Sequence, residues 1–308
     1  MAVKKKAPPG GGSGAVKKSS GAKKVSSPGV AASGSITPVK VELPTEKSKP
    51  STNLAEYTWL IHGEPKIGKT SLIAEFAQVL FAMFEPGGKA LEIFQTPTIK
   101  EWAYMLGLVD ALEQQKVDGT LQFKSVCIDT GSKAYDRCLE WVCLRDHIQH
   151  PGKVEDYGAS WKEVTKAFTD VHARLAALDL GFFVTAHSRA TERQRRTGSK
   201  ELKIEPMFGG STDEFYRGII DIIAYYHTIG EERFLQIRGD DTVVAGCRLQ
   251  NNFLTPNGDQ IKMIPMGNSP KEAHANIMNA YLNKQTKTYS SRTVTVPFKR
   301  RTVKEKTK

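Results

Sequence analysis

Gly63-Glu64-Pro65-Lys66-Ile67-Gly68-Lys69-Thr70 lies directly after an apolar run and directly before an amphipathic one, and it restricts the chain's possible folds more than any other stretch. The spacing G-x-x-x-x-G-K-T lets a backbone curl until several N–H groups face one anion. Tyr57 to Ile61 has the composition of a buried strand, and Ser71 to Phe84 sets Leu72, Phe76, Val79, Leu80 and Met83 on one face of a predicted helix. Strand, loop and helix in that order aim a helix N-terminus at the same anion. Residues 63 to 71 are therefore the expected cradle for the phosphates of a nucleotide, ending at Ser71. Lys69 is expected to reach the β- and γ-phosphates, and Thr70 to hold Mg²⁺ through its hydroxyl.

Charge is distributed in a way that matters for partners. Residues 1 to 50 carry ten Lys against Glu42 and Glu46, and residues 283 to 308 carry nine Lys or Arg against Glu305. Removing both ends from the net charge of +11 leaves about −5 for residues 51 to 282. The basic balance thus belongs to the ends, which are too poor in apolar residues to offset the entropy of ordering. The expected organisation is a disordered basic arm over 1–52, a folded domain over 53–283 and a disordered basic tail over 284–308. Lys-rich arms bind polyphosphates through counterion release, so nucleic acid is one expected partner and simple solubility the alternative role.

Cys127, Cys138, Cys143 and Cys247 show no C-x-x-C spacing, so they read as buried or free thiols of a reducing compartment. With no apolar run near eighteen residues and no leader-like segment, the expectation is a cytoplasmic chain with no membrane span.

Further strands are expected at Lys89 to Phe94, Phe123 to Asp129 and Gly181 to Ala186. Helices are expected from Thr96 through Val109, from Ser132 to His147 and from Ser160 to Leu178, the last with Trp161, Val164, Phe168, Val171, Leu175 and Leu178 on its core face. Strands alternating with helices imply a doubly wound α/β fold with a mostly parallel sheet. Ile219 to Thr228, Arg233 to Arg238 and Val243 to Leu249 suggest antiparallel strands at the C-terminal side, followed by a helix over 270–283.

Asp129 ends a strand expected to lie beside the P-loop strand. Ligands gather at the carboxyl ends of such sheets, so Asp129 is the expected second holder of Mg²⁺, opposite Thr70. His187 ends the next strand, within reach of a γ-phosphate. The segment after it contains Arg189, Arg193, Arg195, Arg196 and Lys200 and no apolar residue larger than Ala. It reads as a mobile cationic loop able to bind a DNA backbone, or to offer an Arg to a neighbouring subunit.

Together, G-E-P-K-I-G-K-T-S-L, V-C-I-D-T, the Trp161 helix and F-F-V-T-A-H-S-R resemble the phage nucleotide-binding proteins of the AAA-type, RecA-like class, over roughly residues 54 to 255. Lys203-Ile204-Glu205-Pro206, Gly209-Gly210 and Gly218-Ile219-Ile220-Asp221 add to the resemblance. It implies a RecA-like P-loop ATPase that binds single-stranded DNA in phage recombination or replication, as a homo-oligomer working with other phage replication or recombination proteins in the bacterial cytoplasm. It also implies P-loop roles for Lys69 and Thr70, the Walker B role for Asp129 and a sensor role for His187. RecA-type ATPases place a glutamate on or just after the second strand, where Glu92 and Gln95 are the candidates here. Two other readings stay open: a P-loop phosphotransferase acting on a small molecule, and an adaptor that binds nucleotide without hydrolysing it.

Overall fold

A computed structural model describes residues 43–194, 198, 200–209 and 212–284. The basic segments 1–42 and 285–308, and with them Arg195 and Arg196, lie outside the described residues. The chain divides into units 1–49 and 50–308, and every element below belongs to the second.

The order of elements is β1 (Thr58–Gly63), α1 (Lys69–Ile73), β2 (Val79–Met83), β3 (Phe94–Gln95), α2 (Trp102–Val117), β4 (Ser125–Asp129), α3 (Gly131–Arg145), α4 (Ala159–Ala176), β5 (Gly181–Gln194), β6 (Lys200–Pro206), α5 (Thr212–Ile219), β7 (Ile222–Ile229), β8 (Glu232–Gln236), β9 (Gly246–Cys247), β10 (Met263–Pro265) and α6 (Pro270–Tyr281). They build a ten-stranded sheet ordered β10-β8-β7-β1-β5-β4-β2-β3, with β6 on β5 and β9 on β7. β7, β1, β5, β4, β2 and β3 run parallel, while β6, β8, β9 and β10 pair antiparallel. This is the mostly parallel α/β sheet that the alternation of elements implies.

Two apolar cores cover its faces. One packs α1 and α6 around Trp59, Ile61, Phe76 and Phe183. The other packs α2, α3, α4 and α5 around Leu60, Trp102, Phe168 and Val184. Covering on both sides explains why β2 and β4 are buried at every residue, with no alternation along the chain. α4 buries Val164, Phe168, Val171 and Leu175, as its spacing predicts. Trp161 does not join them: it is 36% exposed, with its ring edge against His150. No helix among the described residues is long and apolar enough to cross a membrane.

Four further expectations need correction. Ser71 to Phe84 is not one helix: α1 stops at Ile73, Gln78 takes φ 53°, and Val79–Met83 is a strand. A left-handed residue cannot continue a helix, and once the chain turns there the branched and aromatic residues after it fill the sheet. The strand expected over Lys89 to Phe94 reduces to Phe94–Gln95 on the sheet edge. β4 does not lie beside β1, because β5 runs between them and pairs with both. The segment 219–228 is not antiparallel to its inner neighbour, since β7 lies parallel to β1 after the crossover through α5.

Candidate functional site

Gly63 ends β1 in register with Tyr226 of β7 and His187 of β5. A Cβ on Gly63 would fall 2.3 Å from the Tyr226 carbonyl oxygen, so the turn out of the strand has no room for a side chain. Gly68 caps α1 at φ 107°, the left-handed region where glycine is unstrained. Between them Glu64, Pro65 and Lys66 are exposed and Ile67 is half-buried against the core. The loop thus passes from a buried strand through an open arch into a helix start.

Lys69 folds back into this arch. Its Nζ donates to the carbonyls of Gly63, at 3.1 Å, and Glu64, at 2.9 Å. The ammonium is buried, and burial lowers its pKa from the ordinary lysine value, while Asp129, Glu85 and Glu64 pull the other way. A cation held by two carbonyls inside its own loop is poised to exchange them for phosphate oxygens.

Thr70 donates its hydroxyl to Asp129 Oδ2 at 2.7 Å, and Thr185 of β5 donates to Asp129 Oδ1 at 2.6 Å. Asp129 is 7% exposed, and its peptide bond to Thr130 is cis. The structure therefore brings the expected pair together with β5 as the spacer: Thr185 fills the gap that the intervening strand creates. A hydroxyl and a carboxylate converging beside a phosphate loop are a donor set that suits Mg²⁺, which takes one or two protein oxygens and leaves its other positions to water and phosphate. No cluster of three or more His, Cys, Asp or Glu able to hold a metal occurs among the described residues.

Glu85 completes the arrangement, and sequence reasoning missed it. It follows β2 by two residues, accepts from Thr130 Oγ1 at 3.1 Å, and accepts from His187 Nε2 at 3.3 Å. Nδ1 of His187 is buried without a hydrogen-bond partner. Glu92 and Gln95, the residues expected at this position, are both exposed near the sheet edge. The signal was present in the rule that the glutamate follows the second strand. Because Val79–Met83 is a strand and not the end of a helix, the acid that directly follows the second strand is Glu85 rather than Glu92 or Gln95.

The segment after His187 is a β-hairpin rather than a loop. β5 continues to Gln194 and pairs with β6 from Ser188↔Pro206 to Gln194↔Lys200. Arg189 and Arg193 sit on Glu205 at 3.1 and 2.8 Å, with Arg217 of α5 at 3.8 Å from the same carboxylate. Burial raises the pKa of Glu205, but the two guanidinium groups outweigh it and hold the carboxyl below its ordinary value. Lys200 pairs with Glu192 at 3.1 Å. Among the described residues the expected free cations are therefore tied to carboxylates, although Arg189 and Arg193 keep 45% and 56% of their side chains exposed.

Below the loop, His62 is fully buried. Its Nε2 donates to the Val244 carbonyl at 2.7 Å, and Nδ1 accepts from Ser188 Oγ at 2.8 Å. Burial lowers its pKa to about 4, so the ring is neutral and links β1 to the root of the hairpin. All four cysteines are free; three are buried, and Cys247 is half-buried.

A family model described as an AAA domain matches residues 55–249, more than half of the chain. The match spans β1 through β9, and with them the phosphate loop, Glu85, Asp129, His187 and the hairpin. No curated protein is similar enough to the chain to count as a match.

Proposed function

Since the chain belongs to the AAA domain family, we propose that it binds MgATP at residues 63–71 and hydrolyses it. The observation that carries this reading is the 2.7 Å contact of Thr70 with Asp129 beside the buried Lys69. Lys69 leaves the carbonyls of Gly63 and Glu64 for phosphate oxygens, and the helix N-terminus behind it favours the same negative charge. Thr70 and Asp129 would hold Mg²⁺, which supplies electrostatic stabilisation of charge developing on the phosphates. Thr185 keeps Asp129 in place.

Glu85 is proposed to orient the attacking water and accept its proton, with Thr130 and His187 fixing the carboxylate. Its place directly after the second strand supports this over Glu92 or Gln95. His187 joins that carboxylate to β5 and so to the hairpin, which suits a residue that reports the state of the nucleotide.

Single-stranded DNA is the partner proposed for the hairpin, in phage recombination or replication as the resemblance implies. The support is compositional: six Arg or Lys face three Glu between residues 188 and 206. Homo-oligomerisation belongs to the same proposal.

The test is ATP turnover with and without Mg²⁺ and single-stranded DNA, in the full chain and in Lys69→Ala. Mg²⁺-dependent turnover that Lys69→Ala abolishes is expected. Turnover indifferent to Lys69 would remove the phosphate-loop assignment, and turnover indifferent to DNA would remove only the partner.

A further inference from the structure

Lys69 does not have the site's electrostatics to itself. Asp129, Glu85 and Glu64 all act on its ammonium, so this lysine already faces three carboxylates before any polyphosphate arrives. The loop's other lysine, Lys66, is exposed to solvent; a half-buried protein cation close to the loop would offset the carboxylates, and the described residues contain one in an unusual setting.

Arg233 enters β8 after the Gly230 turn that joins it to β7. The space that a Cβ on Gly68 would enter is bordered by Tyr226 Oη at 3.8 Å and by Arg233 Nη1 at 3.9 Å. Arg233 Nη2 donates to the Gly267 carbonyl at 3.1 Å, and the Tyr226 hydroxyl borders the same space beside the guanidinium. Those are neutral groups. Arg189, Arg193, Arg217 and Arg248 each have a carboxylate within 4 Å, whereas among the described residues Arg233 has none. A half-buried guanidinium held by a carbonyl, next to a phenol and beside a phosphate loop, has no carboxylate to neutralise it, and its planar fork suits phosphate oxygens.

We propose that Arg233 is a second phosphate-binding cation of this site, reaching the nucleotide from β8 across Gly68. The inference rests on the nucleotide reading above and adds to it a residue that the loop motif does not contain. Tyr226 borders both ends of the loop: its backbone closes on Gly63, and its hydroxyl lies beside the guanidinium at Gly68.

Equilibrium binding of fluorescent ATP and ADP analogues to the full chain, Arg233→Gln, Arg233→Lys and Lys69→Ala separates the possibilities. Arg233→Gln keeps hydrogen-bonding capacity and loses the charge. It should weaken ATP binding roughly ten- to hundredfold, the range for losing a charge-assisted hydrogen bond, with the ligand-free melting temperature unchanged. Arg233→Lys should recover much of the loss. As a measurement independent of any variant, ATP should protect Arg233 of the unaltered chain from phenylglyoxal and leave the exposed Arg248 reactive. If Arg233→Gln binds ATP within about twofold of the unaltered chain while Lys69→Ala has lost binding, or if ATP leaves Arg233 as reactive as Arg248, the inference is wrong and the loop assignment stands. If Lys69→Ala also binds normally, the loop assignment itself fails and takes this inference with it.

Discussion

Thr70 and Asp129 are 59 residues apart in sequence, yet their side chains meet at 2.7 Å across the width of an intervening strand. Thr185 on that strand holds the other carboxylate oxygen, so the contact is fixed from two sides. Replacing Asp129 by Asn keeps the size and removes the charge. ATP turnover should fall at least about a hundredfold, and the response of nucleotide binding to Mg²⁺ should flatten. Titrating nucleotide with and without Mg²⁺ checks this; an undiminished metal response in Asp129→Asn would disprove the assignment.

Glu85 and Glu92 make opposite predictions. Glu85→Gln should lower turnover by about a hundredfold or more while leaving ATP affinity within a few-fold, as expected for a group needed only in the transition state. Glu92→Gln, at an exposed position, should change turnover little. Steady-state rates alongside binding constants for the two variants decide between them, and the reverse pattern would restore the edge-strand candidate.

Gly63→Ala should destabilise the fold itself. The added methyl would lie 2.3 Å from the Tyr226 carbonyl oxygen, which is backbone in a sheet and cannot swing aside. Separating β1 from β7 enough to admit it should cost about 1–3 kcal/mol, readable as a lower urea midpoint. An unchanged midpoint would mean that the two strands are less tightly joined than their register implies.

Stability should fall with acid before the carboxylates titrate. His62 is fully buried and His172 is 3% exposed, and burial lowers the pKa of each from 6.5 to about 4. Between those values the unfolded chain binds the protons that the folded chain refuses, so stability is complete above pH 6.5 and drains away as pH falls towards 4. Each ring should contribute a loss of about 2 kcal/mol by pH 5. Urea unfolding at pH 7 and pH 5 measures this, and equal midpoints would contradict the neutral, buried state of both rings.

The positions of the loop and of Asp129 are legible because each depends on a local rule, glycine spacing or an acid closing an apolar strand, whereas His187 lies within β5, where its buried part gives way to its exposed part. What was not legible depended on the sheet as a whole. Leu72, Phe76, Val79, Leu80 and Met83 fit a helical period, and a strand buried on both faces has no alternation to contradict it. Taking that period as a helix places the second strand at Lys89 to Phe94 and leaves Glu85 in a turn, whereas the structure sets it directly after β2. The hairpin was hidden for a different reason: Glu205, which gathers Arg189 and Arg193, lies 16 and 12 residues further along, so the arginines looked free when read in isolation. Likewise, nothing local to β4 and β1 announces that β5 will lie between them.

From Gly181 to Gln194, β5 is one unbroken ribbon. Its first half is clamped between two neighbours deep in the protein and carries Thr185 and His187, and its second half projects outward with Arg189 and Arg193. One strand therefore carries both the side chains that hydrogen-bond Asp129 and Glu85 and the arginines gathered on Glu205, with no break in the backbone between the centre and the rim.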